Sequence, residues 1–115
     1  MNSVDESAAL FVYGALLDRS LRERLLGRAV LASSAWLPGY ERSRGRHYYV
    51  VKRDGARTEG LLLEGLGPRD FELLDRYEEV PSLYVREQVE VIDAQGANRC
   101  CWIFLPTARL LDASD

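Results

Sequence analysis

The order of predicted elements indicates an α+β fold, built as a curved sheet or small barrel with helices packed against it. Segments with the strand pattern outnumber helical ones, and most connections are short enough for antiparallel pairing. The chain has 115 residues, of which 47% are apolar and 29% charged, as is typical of a globular domain. We expect one domain over residues 1–115, with loosely ordered ends at 1–8 and 108–115.

In the first third of the chain, a strand at 10–13 precedes a short amphipathic helix. Asp18 is a suitable N-cap, and Gly27 is placed to end the helix. Three leucines recur at every fourth position and mark its buried face: Leu17, Leu21 and Leu25. The same pattern turns residues 22–24 toward water.

The middle of the chain has the strongest β preference. It predicts strands at 29–37, 48–51 and 58–66, with 40–45 as loop or edge. Pro38-Gly39 and Asp54-Gly55 are turn signals, the second of the hairpin kind. Gly60 lies inside a strand, where glycine indicates a bulge, a bend or the close approach of another backbone.

The last third predicts a helix followed by two strands. Gly67-Pro68 opens the helix, Asp70 suits its first turn, and the pattern continues to about residue 78. The strands at 84–92 and 100–105 then flank a turn, which indicates a hairpin.

The charge pattern argues against several classes of partner. The net charge is −3 with both signs interspersed, so there is no basic patch for nucleic acid. Arg42, Arg44 and Arg46 alternate, and a solvated face is the simplest explanation for them. No apolar run is long enough to cross a bilayer, and the first seven residues are too polar and acidic for a signal peptide. We expect a cytoplasmic protein without nucleic-acid or membrane partners.

Cysteine and histidine usage argues against a metal site. The two cysteines, Cys100 and Cys101, are adjacent, and a bridge between neighbours would be strained. We expect reduced thiols in a core strand. The single histidine, His47, has no metal-ligand spacing to other residues, so a surface or core histidine is favoured over a catalytic one.

The first candidate for chemistry is the segment Phe11-Val12-Tyr13-Gly14-Ala15-Leu16. It reads as a buried strand that ends at a tight turn, with Gly14 freeing the backbone for positive φ or close approach. Successive N–H groups in such a turn form a cradle for an anion or oxyanion. A turn without chemistry fits the same residues, so the segment needs a partner elsewhere.

The second helix supplies an acidic candidate. At about 100° per residue, Phe71, Leu74 and Glu78 share one face, while Glu79 points away. A carboxylate on an apolar face must be paired, neutral or functional, and burial and the helix dipole both raise its pKa toward that of a general acid/base. A helix that frays before Glu78, or an ion pair with Arg86 or another arginine, would instead give it a structural role.

With both features in view, the chain resembles the gamma-glutamylcyclotransferase-like family, which includes the plant avirulence-induced-gene proteins and small bacterial relatives. The matching segments occur in the family's order from about residue 10 to 105. They are Phe11-Val12-Tyr13-Gly14-Ala15-Leu16, Gly60-Leu61-Leu62-Leu63-Glu64, Leu74-Asp75-Arg76-Tyr77-Glu78 and Tyr84-Val85-Arg86.

The resemblance implies a small mixed β-barrel with flanking helices and a pocket for a small gamma-glutamyl substrate. It implies that Tyr13, Gly14, Ala15 and Leu16 hold the gamma-glutamyl group, with Tyr84 also at the substrate. Glu78 occupies the position of the catalytic base. The implied reaction forms 5-oxoproline and releases an amine, in a monomer that needs no metal or organic cofactor.

Two departures from the family pattern bear on activity. Glu79 stands where a glycine is usual, and Phe104 stands where the last strand often carries a tyrosine. They motivate an alternative, a non-catalytic module of the same fold that binds gamma-glutamyl groups or other small molecules. A protein-interaction domain without a pocket is a third, weaker hypothesis.

Overall fold

The computed structural model describes residues 8–113, except for the side chain of Ala113. The predictions made for residues 1–7 and 114–115 lie outside this range. The five strands are β1 (Ala8–Val12), β2 (Ala32–Arg44), β3 (Tyr48–Leu66), β4 (Tyr84–Asp93) and β5 (Asn98–Pro106). The helices are α1 (Arg19–Leu26), α2 (Pro68–Tyr77) and α3 (Ala108–Ala113), with a 3₁₀ turn at Ala15–Leu17.

The strands form a closed barrel in the order β1-β3-β2-β4-β5. β1 pairs with β5 in parallel, whereas the other neighbours are antiparallel. The expectation of a small mixed barrel with flanking helices is therefore confirmed. β1 lies between the first long hairpin and the last strand, and its Leu10 and Phe11 are fully buried.

Gly60 lets β1 approach β3 closely. A Cβ built on Gly60 would lie 2.2 Å from the carbonyl oxygen of Val12 and 2.8 Å from the Phe11 ring. Of the three explanations that the sequence left open, close approach of another backbone is the one observed. No side chain fits at this position unless β1 moves.

The hairpin of β2 and β3 differs from the prediction. Both strands run through the expected turns at Pro38-Gly39 and Asp54-Gly55, and the segment expected as loop or edge pairs with 48–52. The register shifts between Pro38, opposite Arg57, and Tyr40, opposite Lys52, so the turn-forming residues make a bulge. The reversal lies at 45–47, where the Gly45 N–H donates to the His47 carbonyl at 3.1 Å.

α1 has the predicted caps but buries one residue that the pattern placed in water. The Asp18 carboxylate accepts from the Ser20 N–H at 2.9 Å, and Gly27 ends the helix in the left-handed conformation. Arg22, however, is only 6% exposed. Its guanidinium turns back onto the preceding 3₁₀ turn, a role that helical periodicity does not report.

The C-terminal segment is more ordered than expected, because 108–113 form α3. Leu110 of this helix is fully buried. The Thr107 hydroxyl accepts from the Leu110 N–H at 3.3 Å and fixes the start of the helix. None of the helices in residues 8–113 is long and apolar enough to span a membrane.

Candidate active site

One cavity of about 410 Å³ opens between the 3₁₀ turn, the end of α2 and the tip of the β2–β3 hairpin. All the residues predicted for the site line it: Tyr13, Gly14, Ala15, Leu16, Glu78 and Tyr84. The barrel thus brings the N-terminal turn and the acid of the second helix to the same space, although they are distant in the chain.

In the turn after β1, the carbonyls of residues 13–15 all accept hydrogen bonds. The Tyr13 carbonyl accepts from Arg42 Nη1 at 2.9 Å. The next two carbonyls, of Gly14 and Ala15, accept from the N–H groups of Leu17 and Asp18. A trans peptide directs its N–H away from its C=O, so the N–H groups of residues 14–16 lie on the opposite face of the turn. The first N–H groups of a helical turn have no partner within it.

Two arginines hold this turn from outside the cavity. Arg42 bonds the carbonyl of Tyr13, and Arg22 Nη1 donates to the carbonyls of Leu16 and Leu17 at 3.1 and 2.9 Å. Both contacts are charge-assisted, and together they fix the orientation of the peptide planes between them. Neither arginine was singled out from the sequence for this role.

Gly14 is required by close approach and not by a left-handed backbone. Its φ is −131°, outside the left-handed region. A Cβ at Gly14 would lie 2.8 Å from the Cβ of Tyr48. The turn therefore packs directly against the first residue of β3, and both residues line the cavity.

Glu78 caps the C-terminus of α2 and is half-buried at the cavity wall. Its N–H donates to the Leu74 carbonyl at 2.9 Å, so the helix reaches it without fraying. Arg86 forms its ion pair with Asp75, at 2.8 Å, and no arginine among the described residues forms one with Glu78. Both structural explanations considered for Glu78 are therefore wrong. Burial raises the pKa of the Glu78 carboxyl to about 7.

Glu79 has the only positive φ of a non-glycine residue in 8–113, at 56°. Its N–H donates to the Arg76 carbonyl at 3.2 Å, and the Val80 N–H donates to the Asp75 carbonyl at 2.9 Å. These bonds form a Schellman motif, in which this position favours glycine. The exposed Glu79 side chain reaches the cavity mouth.

Two tyrosine hydroxyls beside Glu78 are tied to backbone carbonyls. Tyr13 donates to the Phe104 carbonyl at 2.6 Å, and Tyr84 donates to the Tyr48 carbonyl at 2.5 Å. Burial raises the pKa of both phenols, and the nearby Glu78 carboxylate raises it further. Both phenols therefore stay protonated at neutral pH. Each donates its hydrogen bond to a backbone carbonyl and so holds one wall of the cavity in place.

The cavity mouth includes three residues that the sequence analysis assigned elsewhere. Arg44, Arg46 and His47 are exposed and line the cavity at the hairpin tip. The alternation of arginines was the available signal, but it predicted only a solvated face. The hairpin reversal at 45–47 is what turns this segment toward the site.

The cysteines stand apart from the cavity, on β5. Cys101 is buried, which raises the pKa of its thiol to about 12, and Cys100 is exposed; both are free. Within residues 8–113, no three His, Cys, Asp or Glu side chains come together as a metal-ligating group.

Comparison with known proteins identifies the family of the chain. Residues 10–114 match the family model described as gamma-glutamyl cyclotransferase, AIG2-like. The chain is 37% identical over 86 residues to AIG2-like protein C of Arabidopsis thaliana, a match that covers 72% of this chain and 49% of that protein. It spans about half the length of the curated relatives it matches.

Solved structures agree on the fold. A solution structure of an Arabidopsis thaliana protein has a TM-score of 0.81 and 25% identity, and covers 90% of this chain and 71% of its own. A structure titled gamma-glutamyl cyclotransferase also has a TM-score of 0.81, with 20% identity, 89% of this chain and 68% of its own. The chain belongs to the gamma-glutamyl cyclotransferase, AIG2-like family.

Proposed function

We propose that the protein cyclises a gamma-glutamyl group to 5-oxoproline and releases the attached amine, with Glu78 as general acid/base. One observation carries the proposal. The half-buried Glu78, whose pKa is about 7, lines the same cavity as the turn whose first N–H groups, at residues 14–16, have no partner within it. A proton acceptor and an oxyanion cradle therefore share one space, as family membership leads us to expect.

The reaction is intramolecular, so positioning supplies much of the rate. The α-amino nitrogen of the gamma-glutamyl group forms a bond to its own side-chain carbonyl carbon, and the bond to the departing amine then breaks. Holding the two ends of one molecule together removes most of the entropic cost of their meeting. The buried floor beside Leu16 and Phe104 gives the folded substrate an apolar surface to pack on.

Glu78 moves the protons. An ammonium cannot attack a carbonyl, so the carboxylate accepts one proton from the α-amino group before the attack. The ring nitrogen loses a second proton as the amide forms, while the departing nitrogen gains two protons and leaves as an ammonium. Glu78 carries these protons one at a time and is ionised again at the end, which leaves no net change on the enzyme. A pKa near 7 suits these transfers, because the group is readily ionised and readily protonated at neutral pH.

The 3₁₀ turn stabilises the intermediate. Ring closure places a negative charge on the former carbonyl oxygen, and the N–H groups of Gly14, Ala15 and Leu16 are the donors for it. Tyr13 and Tyr84 contribute by keeping the walls in place, since their hydroxyls are bonded to backbone carbonyls. No step calls for a metal or an organic cofactor.

The test is release of 5-oxoproline from gamma-glutamyl amines by the purified chain. Glu78→Gln keeps the shape of the side chain but cannot accept the proton, so we expect a loss of at least about 100-fold in kcat. Glu87→Gln, which removes an exposed charge outside the cavity lining, serves as the control and retains turnover. Activity that survives Glu78→Gln would remove Glu78 from the mechanism.

A binding module of the same fold is the second candidate, and the apolar Phe104 side chain in the cavity favours it. In that case gamma-glutamyl ligands raise the melting temperature, but no 5-oxoproline forms. Product formation by the unmodified chain excludes this candidate.

We also propose that the protein acts as a monomer in the cytoplasm. The residues proposed to carry the chemistry, Gly14, Ala15, Leu16 and Glu78, line one cavity of a single chain. Light scattering during size-exclusion chromatography gives the solution mass, and a dimer whose dissociation abolishes activity would contradict the proposal.

A further inference from the structure

The residues that line the cavity range from fully buried at its floor to exposed at its mouth. Tyr13, Leu16 and Phe104 form a floor that is 5%, 2% and 3% exposed. Glu78 is half-buried, whereas Arg44 and Arg46 are exposed at the mouth. A gamma-glutamyl group held between the turn amides and Glu78 therefore directs its departing amine toward the two arginines.

These arginines are available for an anion. Half of the arginines in residues 8–113 already meet a carboxylate, as Arg86 meets Asp75 and Arg99 meets Glu64. Among the described residues, no carboxylate lies within ion-pair distance of Arg44 or Arg46. Arg44 stacks over the Tyr48 ring at 5.0 Å, which orients its guanidinium without neutralising it.

The opposite side of the mouth carries the reverse charge. Glu79 lines the cavity from the end of α2, while Arg44 and Arg46 line it from the hairpin tip. An amine that carries a carboxylate matches this polarity, because its negative group meets the arginines and its new ammonium meets the glutamates. An amine without a carboxylate has no negative group for the arginines to bind, so only its ammonium is held.

We propose that Arg44 and Arg46 select gamma-glutamyl substrates whose departing amine carries a carboxylate, as an amino acid does. The inference rests on the proposed function for the orientation of the ligand. It adds the two residues that hold the departing amine and determine the preference.

The test compares two ligands that differ only in this charge: gamma-glutamyl-alanine and gamma-glutamyl-alaninamide. Binding is measured by calorimetry at low salt on a Glu78→Gln background, so that neither ligand is consumed. We expect gamma-glutamyl-alanine to bind about tenfold more tightly, and each of Arg44→Gln and Arg46→Gln to reduce the preference about threefold. The double substitution brings the preference to about one.

Two controls separate a local contact from general charge. Arg109→Gln removes an equal charge from an exposed position outside the cavity and leaves the preference unchanged. Replacing Arg44 and Arg46 by lysine keeps the positive charge at the mouth and restores most of the preference.

Three outcomes overturn the inference. A preference that survives the double substitution shows that other groups bind the carboxylate. An equal loss for both ligands assigns the arginines to the glutamyl α-carboxylate instead, and failure of both ligands to bind removes the site. Turnover is measured separately on the unmodified chain, so a failed proposed function appears as absence of 5-oxoproline whatever the binding preference.

Discussion

Glu78 combines two properties at the scale of a single residue. Its backbone closes α2 through a hydrogen bond to Leu74, and its side chain is half-buried without an ion pair among the described residues. Desolvation disfavours the charged form and raises the pKa to about 7. Ionising Glu78 at neutral pH therefore works against folding, and the free energy is recovered only when a cationic group enters the cavity.

This cost predicts a pH-dependent stability. The carboxyl ionises near 4.5 in the unfolded chain and near 7 in the folded one, so the folded state binds the proton more tightly. Stability is full below about pH 4.5 and falls as the pH rises to 7. We expect Glu78→Gln to gain about 2 kcal/mol over the unmodified chain between pH 4.5 and 8, after allowing for partial exposure.

Urea unfolding across that pH range measures the difference. Glu79→Gln, an exposed carboxylate beside it, provides the baseline for loss of one surface charge. A difference between Glu78→Gln and the unmodified chain that stays constant with pH would contradict the raised pKa.

Part of this residue-level picture was predictable. The helical spacing selected Glu78 over Glu79, because rotation about the axis follows from residue number alone. The pairing of Arg86 with Asp75 did not follow, since it depends on where β4 passes the helix. The inward turn of Arg22 was also missed, because a local pattern cannot report a guanidinium that folds back onto backbone carbonyls.

At the scale of elements, the end of α2 has a residue type that its backbone conformation does not favour. Glu79 occupies the left-handed position of a Schellman motif, where a side chain crowds the following carbonyl. Glycine is the usual residue at this position of the family pattern. The strain is local, and it adjoins the residue proposed to move the proton.

Glu79→Gly should therefore stabilise the protein by about 1 kcal/mol, in spite of the greater freedom of glycine in the unfolded chain. Thermal unfolding at fixed pH measures the gain. Glu72→Gly, at an exposed position inside the same helix, is the control and should lose about 1 kcal/mol. Equal losses for both substitutions would mean that Glu79 is not strained.

The β2–β3 hairpin was the element least accessible to prediction. Pro38-Gly39 and Asp54-Gly55 have the composition of turns, and locally they are turns, since both glycines have φ of +82°. Because they face one another across the ladder, they combine into a bulge and the strands continue beyond it. Pairing between distant residues decided the outcome, and turn signals contain no information about it.

At the scale of the whole molecule, the barrel depends on how closely β1 packs against β3. Gly60→Ala should cost at least about 3 kcal/mol, because its methyl group would overlap the Val12 carbonyl, which β1 cannot move without losing its own pairing. Denaturant unfolding and the yield of folded protein check this.

Gly67→Ala is the matched control for that substitution. A Cβ at Gly67 meets nothing within 4 Å and its φ is −104°, so we expect a cost of about 1 kcal/mol from the weaker N-cap. A similar loss at both glycines would show that the contact at Gly60 is not limiting.

The parallel pairing of β1 with β5 also fixes when the site comes into being during synthesis. Within this domain, the turn proposed to hold the oxyanion is synthesised well before β5. Its strand gains a second neighbour only when 98–106 have emerged, and the Tyr13 hydroxyl must wait for the Phe104 carbonyl. Pairings so distant in the chain form slowly. The proposed site is therefore complete only when nearly all of this domain has been translated.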